Sequence, residues 1–203
     1  MRRRLIATEV ADDAAFNALG LDPVFEAQGR IANNANNGDQ EADLGPTTAA
    51  PVAQAQGVWA SGQGFDFTLD YNAATNLVSW QIFGQTMEYT ASADATALAI
   101  RVRATNQASN MAVDLDGLLV DGVTPPIDSV GAANPGDGVQ YLIISGSELL
   151  DGFTLTGTAT LTFDAGDQPS GSNLAFQIKG VVPSPMTGAF ALAGAPLLLR
   201  RRR

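Results

Sequence analysis

The sequence contains no cysteine, no histidine and a single lysine. Without cysteine there is no disulfide and no thiolate nucleophile. Without histidine there is no imidazole base, and a zinc site built from Cys and His is ruled out with them. Positive charge is scarce in the body of the chain. Between residues 5 and 199 only Arg30, Arg101, Arg103 and Lys179 are basic, four against all twenty-one acids, a net −17. A surface so acidic repels phosphate backbones, which excludes nucleic acid as a partner. The remaining arginines sit at the two ends, Arg2 to Arg4 and Arg200 to Arg203. The first cluster has no long apolar run behind it. Only Leu5, Ile6 and Ala7 precede Thr8 and Glu9, where a signal peptide needs roughly 7–15 apolar residues. Residues 1–7 therefore read as a truncated or misassigned leader.

What is present points to β-structure. Twenty-one glycines and ten prolines among 203 residues suit a turn-rich chain long enough for one domain with a real core. In "FDFTLDY" Phe65, Phe67, Leu69 and Tyr71 share one face and Asp66, Thr68 and Asp70 the other. "NAATN" makes a turn, and "LVSWQIF" follows with Val78, Trp80 and Ile82 alternating, so the two runs form a hairpin. "ALAIRVRA" sets Leu98, Ile100 and Val102 against Arg101 and Arg103. "FTLTGTATLTF" (153–163) carries threonine on one face and Phe153, Leu155, Ala159, Leu161 and Phe163 on the other; "NLAFQIK" turns Leu174, Phe176 and Ile178 inward. Alternating runs of this length, broken by Gly, Asp, Asn and Pro, predict an all-β fold, an antiparallel β-sandwich of jelly-roll-like type. A short helix is expected over "TEVADDAAFNALG", with Thr8 as N-cap, Val10, Ala14 and Leu19 inward and Gly20 as stop. The stretch 33–51, rich in Asn, Gly and Pro, reads as a long loop.

Few residues offer chemistry. "DLDG" (114–117) with Asp121, and "DAGD" (164–167), gather carboxylates of the kind calcium prefers, although neither matches an EF-hand loop; surface turns use the same residues for their backbone preferences. Asp66 and Asp70, with Glu88 from a neighbouring strand, could flank a sugar as a glycosidase requires, and an acidic sandwich also produces such pairs by chance. Trp59, Trp80, Tyr71 and Tyr89 could stack on a glycan. The alternation places Trp80 in the core, while Trp59, at a loop-to-strand junction, is expected to be exposed. "GSELLDG" holds a serine with no partner base, so a serine hydrolase is not supported.

The last stretch, "VVPSPMTGAFALAGAPLLLRRRR", is ordered in a telling way. Met186 to Leu199 are fourteen uncharged residues, short of the roughly 20 that span a bilayer as a helix. Four arginines follow, and by the positive-inside rule they resist translocation. A proline-flanked motif, an apolar run and a terminal arginine cluster together resemble the PEP-CTERM sorting signal, with Ser184 standing where the family carries glutamate. The resemblance implies Val182, Pro183, Ser184, Pro185, Arg200, Arg201, Arg202 and Arg203 as the sorting motif. It also implies transient anchoring in the membrane through residues 186–199 and an exosortase-like processing enzyme as partner. The segments "GVWASGQGFDFTLDYNAATNLVSWQIFGQTMEY", "IRVRAT", "FTLTGTATLTF" and "SNLAFQIK" resemble the choice-of-anchor W domain, found ahead of such tails. The expected organisation is thus a sandwich over 8–180 and a sorting tail over 181–203. The expected function is that of a non-enzymatic bacterial protein, exported to the cell surface or the biofilm matrix, with no cofactor, no metal and no catalytic residue. The alternative is a lectin-like module for exopolysaccharide, calcium-dependent in one version, with Trp59 or the Asp loops as contacts.

Overall fold

The computed structural model describes residues 4–31, 40–105, 110–164, 169 and 171–184. Thirteen strands and one short helix follow in chain order: β1 (Ile6–Val10), α1 (Asp13–Ala18), β2 (Leu21–Ile31), β3 (Gln40–Gly45), β4 (Ala53–Gln56), β5 (Gly64–Asn72), β6 (Leu77–Ile82), β7 (Gln85–Thr90), β8 (Ala97–Ala104), β9 (Met111–Val120), β10 (Val130–Asn134), β11 (Val139–Ser145), β12 (Phe153–Phe163) and β13 (Leu174–Pro183). A single 3-10 turn, Ser147–Asp151, precedes β12. All strand pairs are antiparallel and fall into two sheets. The first runs β1-β11-β8-β13-β2-β3-β4 and the second β10-β9-β12-β5-β6-β7.

This order is a jelly roll with additions. The pairs β2–β13, β5–β12, β8–β11 and β9–β10 are successive rungs of one long antiparallel hairpin, wound so that its rungs alternate between the sheets. To these eight strands β1 adds an edge beside β11, β3 and β4 extend the sheet past β2, and the β6–β7 hairpin extends its partner past β5. The expected all-β sandwich is the observed one, and the hairpin predicted from "FDFTLDY" and "LVSWQIF" is β5 with β6, Tyr71 opposite Val78.

The two sheets meet through large side chains supplied by the period-two pattern. Phe67 and Trp80 of the second sheet lie 6.0 and 6.2 Å, ring to ring, from Phe176 of the first. Phe65 is half-buried, and Leu69, Val78, Trp80, Ile82, Ile100, Leu155, Leu161, Phe176 and Ile178 are buried in the same cluster. Two glycines make the closest packing possible. Phe176 faces Gly29 and Phe25 faces Gly180 across the β2–β13 ladder; a Cβ on Gly29 would lie 2.4 Å from the Phe176 ring, and one on Gly180 would lie 2.1 Å from the Phe25 ring. Each ring thus occupies the space that its partner's missing side chain leaves.

Three expectations change. Thr8 lies in β1 and caps no helix. Asp12 is the N-cap, accepting from the Ala15 N–H at 2.7 Å, and the helix turns Phe16 inward while Ala14 and Leu19 are exposed. The reason is that "LIATEV" alternates like a strand before the acidic cap begins. Gly20 does end the segment, with φ of 61°. The loop expected over 33–51 contains β3, in which Ala42 and Leu44 face the core and Glu41 and Asp43 the outside; period two prevails there over an Asn- and Gly-rich composition. The strand ladder also runs past both limits expected for the sandwich. Leu5 is buried ahead of β1, and β13 continues through Val181, Val182 and Pro183 to pair with Leu21–Pro23.

Candidate functional site

On the outer face of the first sheet, strand register assembles a row of polar side chains that crosses nearly the whole molecule. Tyr141, Arg101, Gln177, Gln28, Asp43 and Gln54 face one another in succession on β11, β8, β13, β2, β3 and β4. A second row sets Arg103, Ala175, Arg30, Glu41 and Gln56 alongside. These positions are the polar half of the alternation in "VFEAQGRI", "QEADLG" and "LAFQIK", and the opposite half is core. An outer face is ordinarily wet, yet Gln28, Glu41 and Asp43 are buried at 6–8% exposure.

The row is held together by its own hydrogen bonds. Arg30 bridges Glu41 and Asp43, the latter at 2.8 Å, and donates to the Ser172 hydroxyl at 3.2 Å. Gln54 donates to Asp43 at 2.7 Å. The amides of Gln28 and Gln177 meet at 2.9 Å, and Gln177 donates to Glu26 at 2.8 Å. Lys179 stands 3.5 Å from the same carboxylate. Burial pushes the Glu26 carboxyl above its ordinary value, and Lys179 opposes the shift. At the far end α1 closes the row. Asp13 takes a bidentate hydrogen bond from Arg101 and a further one from the Tyr141 hydroxyl, so its carboxyl is held below its usual range. At the near end Glu26, Gln28, Arg30 and Asp43 floor a cavity of about 190 Å³, walled by the turn from Gly45 to Pro51. Fixed donors and acceptors with locally compensated charge are suited to hold a polar ligand by hydrogen bonds, since their geometry is set before the ligand arrives.

The candidates expected from sequence lie elsewhere. Trp59 is buried at 1% exposure, contrary to expectation. Its indole N–H donates to the Arg30 carbonyl at 3.2 Å and its ring packs edge-on against Phe65, Phe83 and Phe176. It cannot offer a stacking platform. Trp80 and Tyr71 are buried as well, Tyr71 donating to Asn76 at 2.6 Å, and Tyr89 is half-buried. Asp66 and Asp70 do share the outer face of the second sheet, where they accept from the hydroxyls of Thr158 at 2.7 Å and Thr154 at 2.6 Å. Glu88 is two strands from Asp70, across Ser79. A shallow depression of about 320 Å³ beside Asp70 gathers Asp121 and Asp151 instead.

Asp114 and Asp116 lie on β9; burial, and then the neighbouring Asp116 charge, raise the Asp114 carboxyl above its ordinary value. Asp121, at φ of 50°, accepts from the Thr154 N–H at 2.9 Å, and Asp164 accepts from the Asn110 amide at 3.1 Å. Asp167 lies outside the described residues. Among the described residues no group of three or more acids is placed to hold a metal ion. Charge is divided between the sheets: the strands of the second carry Asp66, Asp70, Glu88, Asp114 and Asp116 and no basic residue, while Arg30, Arg101, Arg103 and Lys179 all belong to the first.

Of the sorting motif, Val182 and Pro183 end β13, opposite Asp22 and Leu21, and the Ser184 N–H donates to the Gly20 carbonyl at 2.7 Å. Pro185, Met186 to Leu199 and Arg200 to Arg203 lie outside the described residues. Among the described residues no helix is long and apolar enough to cross a membrane. The polar row was missed in the sequence because its members come from six strands; what could have found it is the Gln and charged residues recurring at every second position in 26–30, 41–43 and 177–179. A comparison with models of known protein families returns no match, and a comparison with curated proteins finds none that matches.

Proposed function

We propose that this chain is a non-enzymatic bacterial protein, exported and sorted through its C-terminal segment to the cell surface or extracellular matrix. The observation that carries the reading is the junction at Ser184. The sandwich completes its central strand at Pro183 and hands the chain, with no intervening linker, to Pro185, the apolar run and the arginines. Both described ends leave from one pole of the sandwich: Ile6 pairs with Ser145, Ser145 with Ala97, and Ala97 with Val181. A protein held by its tail at that pole displays both sheet faces and the opposite pole. The junction also sharpens the processing step. Val182 to Ser184 are tied into the sheet, so a processing enzyme, which needs extended unpaired backbone, acts beyond Ser184. Intact mass of the mature protein from a host with the sorting enzyme tests this. An end just beyond Ser184 supports the reading, and a mature species that keeps all four arginines overturns it.

The polar row of the first sheet supports a second reading, a lectin-like module for exopolysaccharide. The contacts move from Trp59 to Arg101, Gln177 and Gln28, on adjacent strands at a spacing of about 4.8 Å, comparable with the length of a sugar ring, and to Gln54, two strands beyond Gln28 across Asp43. Binding of the full chain to a neutral polysaccharide, lost in Gln28→Leu with Gln177→Leu, tests it.

A further inference from the structure

Of the four sheet edges, three are shielded. β4 is four residues long, follows Pro51 and packs against β7. β7 in turn packs against β3 and β4 and carries Glu88. β10 is followed directly by Pro135 and packs against β8 and β11. β1 is different. Among the described residues it pairs with β11 alone; it carries Glu9 but neither proline nor lysine, and no other described segment pairs with its outer edge. The N–H and C=O groups of such an edge are a template for another strand. Helix α1 does not cover them, because it folds back over the face of the sheet, with Phe16 stacked on Tyr141 at 4.5 Å.

The composition of β1 indicates what that strand is. Leu5 and Ala7 point into the sandwich, while Ile6, Thr8 and Val10 share the outer face; Val10 packs beside Phe16, and Ile6 is 54% exposed. A second copy laid antiparallel, with a two-fold axis through Thr8, sets Ile6 beside the partner's Val10 on the same face. Glu9 then faces the partner's Ala7, so no like charges meet. Two residues further out, beyond the strand itself, the exposed Arg4 comes opposite the partner's exposed Asp12, the N-cap of α1. The segment is basic before the strand and acidic after it, so self-pairing in the antiparallel sense joins opposite charges at both ends. A parallel arrangement would stack Glu9 on Glu9. We infer that two copies of this chain associate through their β1 edges, antiparallel about Thr8, so that their seven-stranded sheets become continuous.

The absence of cysteine makes the test direct. Facing Cα atoms in an antiparallel pair lie about 4.5–5.5 Å apart, within the reach of a disulfide. The full chain, in mild non-ionic detergent, is oxidised as Thr8→Cys and, for comparison, as Thr86→Cys on the β7 edge. Thr8→Cys is expected to give a cross-linked dimer several-fold in excess of Thr86→Cys. A mixture of Ile6→Cys and Val10→Cys is expected to cross-link between the two variants more than Ile6→Cys does with itself. In sedimentation velocity the unmodified chain should shift towards twice its monomer mass as concentration rises, more so at high salt, which screens the repulsion between acidic bodies. Thr8→Lys should stay monomeric with an unchanged β spectrum. Equal cross-linking of Thr8→Cys and Thr86→Cys overturns the proposal, as does an Ile6→Cys self-link as strong as the mixed one. If Thr8→Lys fails to fold, the cysteine pairs decide alone.

Discussion

Arg101 and Asp13 form a bidentate pair, Nε to Oδ1 at 2.8 Å and Nη2 to Oδ2 at 2.9 Å, which joins α1 to a strand 88 residues further along the chain. The same carboxylate accepts from Tyr141, on whose ring Phe16 is stacked within 5° of parallel. One short helix is thereby fixed to the outer face of the first sheet at two points, one ionic and one aromatic, and it closes the polar row at that end.

The pair has a pH dependence with a definite sign. Arg101, and then the Tyr141 hydroxyl, hold the Asp13 carboxyl below its ordinary 3.8, against a contrary push from burial. The folded state therefore binds this proton less readily than the unfolded chain. The stabilisation is fully present above pH 3.8 and is lost as the pH falls through the lower folded value. Asp13→Asn should flatten that part of the acid limb. Because Asp13 is 53% exposed, solvent screening keeps the cost at neutral pH to about 1 kcal/mol. Urea midpoints measured from pH 7 downwards check both, and an acid limb identical to the parent's would remove the pair from the account.

Gly180 is predicted to be the least tolerant glycine of the central ladder. Adding a methyl group there meets the Phe25 ring at 2.1 Å, and Phe25 is fully buried, so the ring cannot swing into solvent. Gly180→Ala should cost about 1–3 kcal/mol as an overpacked core does, read as a fall in urea midpoint with an unchanged slope. The double variant Gly180→Ala with Phe25→Leu should recover part of that loss.

The two tryptophans should respond differently to phenylalanine. Both are buried, but Trp59 donates its indole N–H to the Arg30 carbonyl, while among the described residues the Trp80 Nε1 has no hydrogen-bond partner. Trp59→Phe loses a hydrogen bond along with the ring volume. Trp80→Phe loses similar volume but removes a buried donor that costs free energy in the native protein. Trp59→Phe should therefore be the more destabilising by about 1 kcal/mol. Thermal unfolding of the two variants side by side checks the order.

How much of this was legible follows from where the signal sits. β5, β6, β8, β12 and β13 were plain because their apolar residues alternate over a whole strand. β3 was hidden: "QEADLG" alternates too, but it sits in a stretch whose Asn, Gly and Pro content says loop. Trp59 was misplaced for a related reason. A residue at a loop-to-strand junction has no period of its own, and its burial comes from Phe65, Phe83 and Phe176, which converge on it from two sheets. The polar row is the hardest case. Each member looks like an ordinary solvated position, and only the register of six strands brings Gln28 to Gln177 and Arg30 to Asp43. A single sequence carries the alternation of each strand but not the order in which strands lie beside one another.

The arginines at the end of the chain should matter for sorting and not for folding. The apolar run before them is short for a membrane span, so on the proposed sorting route retention would lean on the charges that stop its passage. On insertion scales a basic residue at a helix centre costs roughly 2.5–3.5 kcal/mol, and four in succession, Arg200 to Arg203, are a firm stop. Replacing all four with serine should weaken retention in the membrane or mis-sort the protein, seen as material lost from the membrane fraction of an exporting host. The sandwich ends its ladder at Pro183, and the last backbone hydrogen bond among the described residues is Ser184 to Gly20, sixteen positions before the first altered residue. Its unfolding midpoint should therefore be the same in both proteins. In a host without the processing enzyme the unaltered precursor should accumulate in the membrane uncut. Equal partition of the serine variant and the parent between membrane and soluble fractions would show that the arginines do not hold the tail.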